Sequence, residues 1–103
     1  MKIYEVWYMR PRWFRNGIFG ERPKAASLFG THVHLKNLEL DGDVESNLEK
    51  IFHDMQGEVW SPNGEARELI IEKGLAHTSM SVGDVVRVDG EIYLVANLGF
   101  EKL

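Results

Sequence analysis

The sequence predicts an α+β fold in which two helices pack on one face of a mainly antiparallel sheet, in the order β-β-α-α-β-β, with Phe100–Leu103 as the candidate for a last short strand. Three observations lead there. A β-prone run opens the chain, two helix-periodic stretches occupy its middle, and an Asp-Gly pair joins two β-branched runs near its end. The 103 residues, 44% of them hydrophobic and none of them cysteine, suit one core without disulfides and are expected to form a single domain over residues 1–103.

Lys2–Met9 reads as a strand because Tyr, Val and Trp are enriched and neither Gly nor Pro interrupts it. Both faces carry apolar groups, Tyr4, Val6 and Tyr8 on one and Ile3, Trp7 and Met9 on the other, as an inner strand requires. From Arg10 to Gly30, repeated Pro and Gly predict an irregular loop, yet Trp13, Phe14, Ile18 and Phe19 make it too aromatic to be an idle one. Thr31–Leu40 alternates again, with Val33 and Leu35 on one face and His32, His34 and Lys36 on the other, so a half-exposed strand is expected.

Asp43 then offers an N-cap oxygen, and Val44, Leu48, Ile51, Phe52 and Met55 recur at helical spacing, which predicts a helix over Asp43–Gln56 ending at Gly57. A second helix is expected from Ser61-Pro62, burying Ala66, Leu69 and Ile70 before Gly74 stops it. Ser81-Val82-Gly83-Asp84 is turn chemistry. It leads to a hairpin of Val85–Val88 and Ile92–Val95 across Asp89-Gly90, since both central positions of a type I′ turn need positive φ. In that register Val88 faces Glu91 and Val86 faces Tyr93.

Charge is laid out unevenly. The first 36 residues balance to +5 and the remaining 67 to −9, within a formal net charge of −4. Such a bipolar layout can steer a partner or be satisfied internally. The lack of cysteine fits a reducing compartment, and no run approaches the roughly 18 apolar residues that cross a bilayer, so a cytoplasmic chain without membrane contact is expected.

Arg10, Arg12 and Arg15, interleaved with Trp13, Phe14 and Phe19, form the main candidate contact surface, with Trp60 at the interhelix turn as a second element. Arginine and aromatic groups dominate protein interfaces. The same set in the 10–24 loop, extended by Arg22 and Lys24, could neutralise phosphates and stack bases, which keeps nucleic acid open as the alternative partner. His32 and His34 share a strand face and are weak metal candidates, since a tight zinc site needs third and fourth ligands the sequence does not supply; no metal or cofactor is expected. Thr78, Ser79 and Ser81 near His77 read as turn hydroxyls, and no catalytic residue is assigned.

His77-Thr78-Ser79-Met80-Ser81-Val82-Gly83-Asp84-Val85-Val86, followed by Asp89-Gly90, Tyr93-Leu94-Val95 and Gly99-Phe100, resembles a block in small uncharacterised proteins of phages, plasmids and conjugative elements. It is also similar to the YodL-like domains of mobile-element polyvalent proteins. The resemblance covers about 27 residues and implies an accessory protein of a mobile element, with no implied activity. The expected function is therefore a non-enzymatic binding protein acting through a protein partner. Nucleic-acid binding and a small metal-dependent or hydrolytic enzyme are the alternatives.

Overall fold

The computed structural model describes residues 1–103. Its strands β1 (Lys2–Met9), β2 (His32–Leu40), β3 (Val85–Val88), β4 (Glu91–Val95) and β5 (Phe100–Lys102) form one sheet of order β2-β1-β3-β4-β5, every neighbouring pair antiparallel. Helices α1 (Pro11–Ile18), α2 (Leu28–Thr31), α3 (Val44–Asp54), α4 (Gly57–Trp60) and α5 (Arg67–Glu72) accompany it, most of them short, with a single 3₁₀ turn at Ala25–Ser27. The expected two-helix layer is thereby overturned.

Two misread segments account for the difference. Arg10–Gly30 contains α1 and α2 rather than a continuous irregular loop. Pro11 sits at the first helical position, where its missing N–H costs nothing, and Arg10 supplies the extended residue before it. The helix predicted from Ser61 starts only at α5, after a turn, while the short α4 precedes Ser61. Gly64 takes φ of +84°, and the Ser61 Oγ accepts the Ala66 N–H at 2.9 Å, so the chain turns where an uninterrupted helix was expected.

Sequence logic holds more directly in α3. Asp43 accepts the Ser46 N–H at 2.9 Å and caps the helix, while Leu48, Ile51 and Met55 enter the main core. Helix α3 itself stops at Asp54, short of the expected Gly57, and Phe52 stays at the surface. Asn47 donates to the Tyr4 hydroxyl at 3.0 Å and to the Asp41 carbonyl at 3.0 Å, fastening α3 to β1 through a buried polar pair. The β3–β4 hairpin has the expected register, with Asp89 at φ 53° and Gly90 at φ 77°.

Alternation along β1 divides the interior into two layers. Tyr4, Val6 and Tyr8 join α3, α5 and Leu75 in the larger cluster, whereas Trp7 turns to the opposite face with Val85, Ile92, Leu94 and Leu28 of α2. A bulge shifts the β1–β2 register, with Val6 opposite Lys36 and Trp7 opposite His34, so that Leu35 is the extra residue. Lys36 therefore leaves the face it was expected to share with His34. Its ammonium lies 5.3 Å from the centre of the Trp60 ring instead.

Candidate functional site

The end of the sheet where β1 stops and β3 begins carries the chain's buried polar chemistry. Asp84, in the Ser-Val-Gly-Asp turn, is fully buried, and its carboxylate accepts the Met9 N–H at 2.7 Å, the Ser81 N–H at 2.8 Å and His77 Nε2 at 2.9 Å. Burial raises its pKa above the ordinary carboxylate range, and the hydrogen bond from His77 works against that rise. The His77 ring lies stacked on Tyr8 at 4.6 Å and edge-on to Phe14 of α1 at 4.8 Å. With Nε2–H committed to Asp84, His77 Nδ1 is buried and has no hydrogen-bond partner.

His32 approaches the same turn from β2. It is fully buried, correcting the expectation of a solvent-facing strand surface. Its Nε2 lies 2.8 Å from the Gly83 carbonyl, which can only accept, so the proton sits on Nε2 and Nδ1 takes the Thr31 hydroxyl at 2.7 Å. Burial lowers its pKa, opposed by the bond to Gly83. Tyr8 donates to the Thr78 carbonyl at 2.7 Å, and burial, then the Asp84 carboxylate, raises its pKa above the usual 10.0.

Helix α1 closes over this cluster because two glycines meet. Gly83, at φ +101°, leaves no room for a Cβ, which would stand 2.5 Å from the Met9 sulfur and 2.9 Å from the Gly17 Cα. Gly17, which reads in sequence as a breaker, is thus a helix contact.

The arrangement has a histidine oriented by a carboxylate, one ingredient of hydrolytic sites. A nucleophile is not in place. Ser79 Oγ accepts the Gly57 N–H at 2.7 Å and Ser81 Oγ donates to the Ser79 carbonyl at 3.0 Å, so both hydroxyls stitch the turn to its neighbours. His34 is separated in role from His32, with Nε2 on Asn37 Oδ1 at 2.7 Å, and no three His, Asp or Glu side chains gather as a potential metal group.

The predicted contact residues disperse. Arg10 and Arg12 donate to the Phe29 and Gly30 carbonyls at 3.0 and 2.6 Å, securing the α2 turn. Arg22 pairs with Glu101 at 2.7 Å. Trp13 and Phe14 are half-buried, and Trp60 donates its indole N–H to the Thr78 carbonyl at 3.0 Å. Arg15 and Phe19 remain exposed. Sequence reasoning missed Leu98, which is 96% exposed beside Phe19's end of α1, where Phe19 is 80% exposed. Leu98 lines a cleft of about 280 Å³ together with Gly17, Gly20, Val82, Leu94 and Val95, and Phe19 lines a second cleft that shares Gly20. No periodic pattern marks Leu98; its only signal is an apolar residue inside an Asn-Leu-Gly turn.

Over 82 residues, 76% of this chain and 76% of the relative, the sequence is 32% identical to the uncharacterised protein R785 of Acanthamoeba polyphaga mimivirus. The chain belongs to that protein's family. No family model and no solved structure matches it. No helix is long and apolar enough to cross a membrane.

Proposed function

We propose that the chain is a non-enzymatic binding module that docks a protein partner on the surface formed by the end of α1 and the β4–β5 turn. One observation carries this reading: Phe19 and Leu98, the two most exposed large apolar side chains, line two clefts that share Gly20. Paired apolar anchors beside a concave, partly apolar floor are the usual centre of a protein interface. The resemblance of His77–Leu103 to proteins of phages, plasmids and conjugative elements, including YodL-like domains, supports an accessory role in such an element. The viral relative supports the same setting.

Nucleic acid is the less supported partner because Arg10, Arg12 and Arg22 spend donors on their own chain, which leaves Arg15 and Lys24 as the uncommitted cations of the segment. Partner capture from the native host, followed by titration of the identified protein, tests the proposal. Phe19→Ala and Leu98→Ala should each weaken binding by about 2 kcal/mol, with Arg15→Ala nearly neutral and the salt dependence mild. Micromolar binding to single-stranded DNA or RNA that falls steeply with salt and is abolished by Arg15→Ala or Lys24→Ala would overturn it.

A further inference from the structure

The two edges of the sheet are finished differently. At one edge β5 is three residues long, and its Lys102 carbonyl accepts from Arg22 at 3.2 Å. The other edge is β2, nine residues long and without proline. The His32 N–H caps α2 on the Leu28 carbonyl, but outside the ladder with β1 no backbone group of residues 33–40 bonds to backbone elsewhere. Beyond His32, every second residue of β2 therefore points an N–H and a C=O outward with no protein partner. Lysine commonly guards such an edge. Here Lys36 is drawn over the Trp60 ring of its own chain.

We propose that the β2 edge pairs with the β2 edge of a second copy, antiparallel about a two-fold axis at Leu38, extending the sheet across both copies. A perpendicular two-fold keeps each sheet face continuous only if opposed residue numbers sum to an even value, and centring on Leu38 satisfies this. Leu38 then meets its own equivalent on the core side, while Asn37 stands opposite the second copy's Glu39 twice on the outer side. The amide of Asn37 can donate to that carboxylate, since its Oδ1 is already engaged by His34. Centring one pair away, on Lys36, would oppose two ammonium groups. Self-pairing also closes the assembly, whereas joining β2 to β5 would propagate a filament and meets an edge already blocked by Arg22.

The experiment is sedimentation velocity on the full chain across a concentration series, with two designs. Asn37→Glu sets like charges opposite each other at two places and should weaken dimerisation roughly tenfold; adding Glu39→Lys should restore it. Asn37 and Glu39 are both exposed, so these changes leave the core intact. In the cysteine-free chain, Leu38→Cys should form an intermolecular disulfide on mild oxidation far faster than Ile71→Cys on exposed α5, because directly opposed Cβ atoms lie roughly 4.5–5.5 Å apart. A monomer at every concentration, or a dimer indifferent to Asn37→Glu with equal cross-linking of the two cysteine variants, would overturn the proposal.

Discussion

Replacing Asp84 by alanine should come close to unfolding the protein. The carboxylate is fully buried and holds two backbone N–H groups, from Met9 and Ser81, together with the His77 ring. Alanine strands all three donors in a space water does not reach, at about 1–3 kcal/mol each. Removing the carboxylate also removes its own desolvation cost, visible in its raised pKa, so the full sum is not realised. Loss of one partner from a buried charged pair costs about 3–5 kcal/mol, and that is the expected value. Against a total stability of roughly 5–15 kcal/mol for a domain of this length, the melting temperature should fall by about 15–30 °C. Asp84→Asn keeps one oxygen but turns an NH₂ group toward a donor, so it should fall between alanine and the parent protein. Urea denaturation followed by circular dichroism measures both, with the midpoint moving and the slope unchanged. An alanine variant whose midpoint matches the parent would show that the Ser-Val-Gly-Asp turn does not organise the fold.

Three further outcomes are expected. His32 is buried in its neutral form with a lowered pKa, so the stability it contributes is present above its ordinary value of 6.5 and is lost as pH falls through the lowered value; His32→Gln should flatten urea midpoints across that window. Asp84 acts in the opposite sense, since a raised carboxylate pKa makes protonation on the way down toward 3.8 favour the fold, so it offsets part of the loss at the acid end. Gly83→Ala should cost about 2–5 kcal/mol, combining the left-handed backbone with overpacking against Met9 and Gly17, and an unchanged melting temperature would contradict the glycine contact. Tyr8→Phe should cost only about 0.5–1.5 kcal/mol, because the Thr78 carbonyl it leaves still accepts from Trp60; a larger loss in thermal melts would mean that the hydroxyl does more than hold that carbonyl.

What could be read from the sequence was whatever depends on neighbouring residues. Asp89-Gly90 specifies its own positive φ angles, and Asp43 with Leu48, Ile51 and Met55 specifies a capped, one-sided helix, so the hairpin and α3 emerge before any tertiary contact is known. Where the meaning of a residue is set by a distant segment, local rules mislead. Gly17 reads as a helix breaker, but a helix that must touch the Gly83 backbone requires a residue without a Cβ there. His32 reads as half-exposed because strand alternation cannot reveal that the turn some fifty positions later offers it a carbonyl. The same holds for the contact surface. Arg10 and Arg12 carry the composition of an interface, yet the nearest unsatisfied carbonyls, those of Phe29 and Gly30, claim them first. Phe19 has no such competitor and remains at the surface, as does Leu98 in the β4–β5 turn. Side chains that the fold does not consume are the ones left for a partner, and here Phe19 and Leu98 are the most exposed large apolar groups while three of the five cations in the 10–24 segment are spent on the chain itself, which is the physical reason to expect a protein at this surface before a nucleic acid.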